Sequence, residues 1–263
     1  MFKIRCTVIV LALLLSFSLA ANADTITLTD IYGPNTVVNI DPDSQAGVYE
    51  WIVDGTNHIF QNSYWYSIGN GPITPVTSLG SPTVTPFAEF MAQVLYAGEL
   101  FDFQVDYILA GWDIGTGQSD IAQTVTVTNK TGSPLNFTLY EYLNLDLNGN
   151  KDGQTGTMTS SGAFSQTEGI TLSEITINAV GSTSEVGDAA TLLAKLYSND
   201  PIVANNSYVG DVGVVFAMNF QLHQSWMMSQ DNRVINGAVP EPSGIMALVG
   251  MVGLLPLMRR RRA

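Results

Sequence analysis

The sequence has 263 residues, a formal net charge of −13 and one cysteine, enough chain for one large domain or two small ones. Between Asp24 and Ala238 there are 22 acidic side chains against Lys130, Lys151, Lys195 and Arg233, which leaves that stretch near −18. Such a surface repels nucleic acid and anionic lipid, so nucleic acid is excluded as a partner, and it favours divalent cations.

The chain opens on an export signal spanning residues 1–23. Lys3 and Arg5 precede a nearly unbroken apolar run from Val8 to Ala20, and Ala21-Asn22-Ala23 supplies a small-residue cleavage site. A mature chain beginning at Asp24 and carried by Sec-type export machinery is the expectation. Cys6 lies inside the signal. The mature chain then has no thiol, disulfide, cysteine nucleophile or cysteine ligand.

Residues 24–237 read as one all-β ectodomain, a single antiparallel β-sandwich of jelly-roll-like character. Polar and apolar residues alternate over Thr25–Thr29, Thr124–Thr128, Asn136–Leu147 and Ile170–Ile177, and Val212–Leu222 is a β-branched and aromatic run. Period two with β-branched enrichment predicts half-buried strands. Asp54-Gly55, Asn70-Gly71-Pro72, Gly115-Thr116-Gly117, Asn148-Gly149 and Asp152-Gly153 place turns between them. Ala189 to Tyr197 is the one segment that reads equally as helix or strand.

Four groups of residues invite a chemical role. Trp51, Tyr64, Trp65 and Tyr66 form an aromatic cluster, and Trp51 and Trp65 are candidates for stacking on sugar rings, although aromatic residues also dominate cores. Asp102, Asp106, Asp113 and Asp120 invite a glycosidase reading, but the alternation of Asp102, Gln104 and Asp106 with Phe101, Phe103 and Val105 reads as the solvated face of a strand. In the loop Asp146 to Gly153, the oxygen-bearing Asp146, Asn148, Asn150 and Asp152 fall at every second residue, a spacing that can converge on Ca²⁺. The twelfth position of an EF-hand-like frame beginning at Asn148 is Thr159 rather than Glu, and a hairpin connection rich in turn-formers explains the loop equally well. His58 and His223 are the only histidines, and nothing in their spacing points to a metal site. No Gly-x-Ser-x-Gly, phosphate loop or dinucleotide fingerprint is present.

The last segment, residues 238–263, carries the sharpest signal. Val239-Pro240-Glu241-Pro242-Ser243 is a rigid stretch, Gly244 to Met258 holds no charge, and Arg259, Arg260, Arg261 and Arg262 follow at once. These features describe a short transmembrane helix with its basic end in the cytoplasm and the ectodomain outside. At ~1.5 Å per residue the 15-residue span reaches only ~22 Å against a ~30 Å hydrocarbon core, which suits a temporary retention signal.

This tail resembles the PEP-CTERM sorting signal, a segment also labelled an ice-binding-protein C-terminal domain. The resemblance implies processing by an exosortase that reads Pro240, Glu241 and Pro242. It also implies a Gram-negative host that makes exopolysaccharide, anchorage in the inner membrane during transit, and a final place at the cell surface or outside the cell. More loosely, Phe137-x-Leu139-Tyr140-Glu141-Tyr142 and Phe216-x-Met218-x-Phe220 with Ser229-Gln230-Asp231 resemble PEP-CTERM ectodomains of unassigned activity. Together the features predict a non-enzymatic surface or matrix protein with a structural or adhesive role linked to exopolysaccharide, needing no cofactor. The alternatives are a Ca²⁺-dependent carbohydrate-binding module and a secreted hydrolase with an unrecognised site.

Overall fold

The computed structural model describes residues 25–31, 35–159, 162–178 and 182–236. The export signal, the Pro240-Glu241-Pro242 motif, the short transmembrane helix and Arg259 to Arg262 lie outside the described residues. Among the described residues, no helix is long and apolar enough to cross a membrane.

Two nine-stranded sheets face each other. Numbered along the chain, the first runs β1 (Ile26–Thr29), β2 (Thr36–Asp41), β3 (Gly47–Val53), β5 (Gln61–Ile68), β11 (Leu135–Asn144), β17 (Val212–Leu222) and β15 (Ser182–Asp188), with β4 (Thr56–Asn57) beside β3 and β6 (Thr74–Pro75) beside β5. The second runs β16 (Ser207–Gly210), β12 (Gln154–Met158), β13 (Phe164–Glu168), β14 (Thr171–Ile177), β18 (Ser225–Asn236), β10 (Gln118–Asn129), β9 (Phe101–Gly111), β8 (Met91–Ala97) and β7 (Thr83–Ala88). The expected all-β sandwich is therefore present.

Its pairing departs from the expectation in one place, because β3 and β5 run parallel. Gly47 makes this junction sterically feasible. Its φ is 58°, and a Cβ there would lie 2.0 Å from the Asn62 carbonyl oxygen, so no other residue lets β3 approach β5 so closely. The Asp146–Gly153 loop is not a hairpin. It carries the chain from β11 in the first sheet, through a short turn at Leu147–Gly149, to β12 in the second.

Alternation decides which side chains meet between the sheets. In β9, Phe101, Phe103, Val105 and Tyr107 face inward; in β11, Phe137, Leu139 and Leu143 do so. These join Trp51, Val125 and Val214 in one core. The Trp51 indole N–H donates to Ser119 Oγ at 3.0 Å and ties the two sheets together.

The ambiguous segment near residue 190 is a helix, α1 (Ala189–Ser198). Asp188 caps its start by accepting the Thr191 N–H at 2.8 Å, and Asn199 ends it in the left-handed conformation at φ 61°. Leu192 and Leu196 cover Trp65, Tyr142 and Val215 on the outer face of the first sheet. Trp65→Ala should therefore destabilise the fold by about 3–5 kcal/mol in denaturant melts while leaving sugar binding per folded molecule unchanged. Weakened sugar binding at unaltered stability would contradict this placement. The outer face of the second sheet carries no α-helix among the described residues.

Candidate functional site

The outer face of the second sheet is built by register. On β10, Ser119, Ile121 and Gln123 point into the core, so Asp120, Ala122 and Thr124 point out. Asp120 lies opposite Arg233 of β18, Ala122 opposite Asp231, and Thr124 opposite Asp106 of β9 and Ser229 of β18. Glu174 of β14 continues the row beyond Arg233. Residues far apart in sequence thus form one polar row, in which Asp120, Ala122 and Thr124 are themselves buried.

Asp120 is 1% exposed. It accepts two hydrogen bonds from Arg233, Nε to Oδ1 at 2.8 Å and Nη2 to Oδ2 at 3.0 Å. A bidentate pair of this kind fixes both planes. The guanidinium lies 5.7 Å from the centre of the Trp112 ring, within cation–π range. Burial pushes the Asp120 carboxyl up, opposed by the Arg233 hydrogen bonds and charge, while Asp120 holds the guanidinium above its usual value.

Asp231 is the diagonal neighbour of Asp120, a relation that separates Cα atoms by about 7–8 Å in a regular sheet. Its Oδ1 is buried without a hydrogen-bond partner. Burial pushes its carboxyl up to about 7; the Asp120 charge adds to this and Arg233 opposes it. In the next row Gln93 and Gln104 donate to Asp106, at 2.6 Å to Oδ1 and 2.9 Å to Oδ2. Thr124 is buried beside them with its hydroxyl unpartnered. The face therefore offers one carboxyl that exchanges a proton near neutral pH, flanked by fixed donors and acceptors and an aromatic ring.

The residues singled out from the sequence are placed differently. Trp51 and Trp65 are 0% and 1% exposed, one in the core and one beneath α1, so neither presents a ring to a ligand. Asp102 pairs with Lys130 at 3.0 Å and Asp113 is exposed in the loop after β9; they lie on the wetted side, as the alternation predicts. Asp106 joins the site, and Asp120 is buried and paired rather than solvated. In the Asp146–Asp152 loop, Asn148 and Asn150 donate their amide N–H groups to Glu168, while burial and then the nearby Asp211 and Asp152 charges push the Asp146 carboxyl up. Among the described residues no three His, Asp or Glu side chains gather as a metal set. His58 is buried, its imidazole pushed down to about 4 by burial, and its Nδ1 accepts the Asn148 N–H at 3.3 Å. His223 is exposed at the far end of β11, beyond the Leu135–Leu222 pair.

A second perturbed carboxyl lies in the core. Glu141, between Tyr64 of β5 and Phe216 of β17, is fully buried. Asn62 donates to its Oε1 at 2.7 Å, and Oε2 has no partner of good geometry. Tyr64 donates to Gln123 Oε1 at 2.8 Å and Gln123 donates to Asn62 Oδ1 at 2.9 Å, so the network crosses between the sheets. Burial pushes Glu141 up to about 7, partly offset by Asn62, Gln230 and Tyr64. The gap lined by Tyr64, Tyr96 and Tyr107 holds about 20 Å³, room for one water and not for a substrate.

No protein-family model matches the chain, and no curated protein matches it in sequence. Solved structures do. A bacterial glucoamylase complexed with acarbose superposes with a TM-score of 0.59 at 10% identity, over 80% of this chain and 32% of that one. A GalM/aldose epimerase homologue from C. elegans superposes at 0.50 and 7% identity, over 81% of this chain and 99% of that one. The likeness is one of fold. The chain spans about a third of the glucoamylase's length.

These findings correct the expectation of a non-enzymatic ectodomain. The chain shares its fold with part of a glucoamylase and with an aldose epimerase homologue, and the outer face of its second sheet holds a perturbed carboxyl that no catalytic motif in the sequence announced. Asp231, Arg233, Glu174 and Trp112 were missed. The available signal was the alternation Ser229, Asp231, Arg233, which puts one of only four ectodomain cations on the same face as an acid.

Proposed function

We propose that the chain is a carbohydrate-active protein that binds a sugar across the outer face of the second sheet and moves a proton at it through Asp231. The observation that carries this reading is the Asp231 carboxyl, pushed up to about 7 beside the fixed Asp120–Arg233 pair and the Trp112 ring. A general acid–base group works best with its pKa near the operating pH, and perturbed carboxyls cluster at functional sites. The likeness in fold to a glucoamylase complexed with acarbose and to an aldose epimerase homologue supports sugars as the substrate class.

Glycoside hydrolysis ordinarily uses two free carboxyl groups facing one bond. Arg233 occupies both oxygens of Asp120, which leaves Asp231 as the exchangeable one. Proton transfer at the anomeric hydroxyl and ring oxygen of an aldose fits a single such group better. The test is polarimetry on fresh α-D-glucose and α-D-galactose, with product analysis on α- and β-linked disaccharides. Faster anomer interconversion supports the reading. No acceleration and no binding of any of these sugars would end it.

We also propose that the protein meets its substrate outside the cytoplasm. The export signal and the PEP-CTERM-like tail support delivery by Sec-type machinery, handling by an exosortase at Pro240-Glu241-Pro242, and exopolysaccharide as the neighbouring glycan. The intact mass of the protein from its own host should lack residues 1–23 and the tail, and should retain the tail in an exosortase-deficient strain. A tail kept in both strains would count against exosortase processing.

A further inference from the structure

We infer that a second sugar unit is held in the cleft between the Asp54-Gly55 turn and the loop from Trp112 to Gly117, so that the substrate is the end of an oligosaccharide or polysaccharide and not a free monosaccharide. The inference rests on the reading that a sugar lies beside Trp112 on the sheet face.

The cleft is a wide-open surface depression of about 330 Å³ lined, among the described residues, by Asn35, Asp54, Gly55, Ile114 and Gly115. It adjoins the proposed site through one residue. The Trp112 ring meets Arg233 on the sheet face, while the Trp112 carbonyl oxygen accepts Asn35 Nδ2 at 3.0 Å at the edge of the cleft. The loop that begins at Trp112 thus runs from the sheet face to the lining residues Ile114 and Gly115.

The chemistry of the walls suits a neutral sugar. Asn35 is 8% exposed, and with its amide nitrogen committed to Trp112, its Oδ1 remains buried and unpartnered. Ile114 is 73% exposed, an apolar platform for the C–H face of a pyranose. Gly55 and Gly115 place no Cβ in the opening, and a Cβ at either would meet nothing within 4 Å.

The loop is held as a binding wall must be. Asp54 accepts the Gly115 N–H at 2.9 Å and the Gly117 N–H at 2.8 Å, one on each carboxylate oxygen. Asp54 itself takes a left-handed backbone at φ 48°, as the first residue of the two-residue Asp-Gly turn between β3 and β4 does. Both carboxylate oxygens accept from the loop while Asp54 itself stays exposed, so its remaining lone pairs face a ligand's hydroxyl groups.

The test is titration calorimetry of the full chain with D-glucose and D-galactose and with maltose, cellobiose and lactose. At least one disaccharide is expected to bind about tenfold tighter than its monosaccharide, the equivalent of one well-packed apolar contact. Ile114→Ala should remove most of that advantage and leave monosaccharide affinity unchanged. Ile170→Ala, at an equally exposed position elsewhere, should keep it. Equal affinity for both lengths in the unaltered protein, or an advantage untouched by Ile114→Ala, overturns the second unit. Monosaccharide binding lost in Trp112→Ala, with no disaccharide advantage, would sink the cleft alone. Absence of binding to all five sugars would sink the cleft together with the sheet-face reading.

Discussion

Asp231→Asn is expected to lower the rate of sugar anomer interconversion by roughly 100-fold or more, the scale of a general acid–base contribution, while sugar affinity stays close to that of the unaltered protein. Asn keeps the shape of the side chain and cannot exchange a proton. The unaltered protein should show a pH-dependent limb in kcat/KM centred near the carboxyl's value of about 7, and the Asn variant should lack it. Asp120→Asn offers a second reading of the same coupling. The Asp120 charge is one of the causes that push Asp231 up, so its removal should move the limb to lower pH. Stability should respond in the opposite sense to activity. A folded carboxyl that holds its proton more tightly than the usual 3.8 weakens the fold as pH rises from about 4 through about 7. Asp231→Asn removes that loss, so the variant should be inactive and, at pH 8, no less stable than its parent. Full activity in the Asn variant would remove Asp231 from the chemistry.

Glu141→Gln is expected to stabilise the fold at pH 8 and to flatten its dependence on pH. The Glu141 carboxyl is pushed from 4.5 to about 7 by burial, so the folded chain binds its proton more tightly than the unfolded one. Stability contributed by that proton is fully present below about 4.5 and is lost as pH rises to about 7 and beyond. The span corresponds to about 3 kcal/mol for a fully buried group. Gln retains an acceptor for the Asn62 amide, which now donates at 2.7 Å, and carries no charge to desolvate. Denaturant melts at pH 5 and pH 8 measure the difference. A parent protein equally stable at both pH values, or a Gln variant with the same pH slope as its parent, would show that the core accommodates the carboxylate without cost.

Local alternation was enough to place the strands. Thr124–Thr128 falls within β10 with Val125 and Val127 inward, and Val212–Leu222 is β17 from end to end, but in β14 the structure turns Thr171, Ser173 and Ile175 inward and leaves Ile170 exposed. The same rule hid Glu141. It occupies an inward position of β11 between Leu139 and Leu143, and a sequence pattern cannot say that Tyr64, Gln123 and Asn62 wait there to receive it. Likewise the exposed-looking Asp120 is buried only because Arg233, 113 positions away, lies opposite it.

The amino-acid sequence was sufficient for the sandwich class, the helix-capable segment at Ala189 and the acidic balance between Asp24 and Ala238, and it raised the expectations for the two ends. Those properties depend on residue type and short spacing. It took the folded chain to show that β3 enters beside β5 in parallel, that Trp51 and Trp65 are interior, and that Asp120, Asp231 and Arg233 share one outer face with Trp112 beside Arg233. These depend on strand order and register, and the order of strands in a sheet is settled by which faces bury one another, a long-range energy that no local pattern in the chain records.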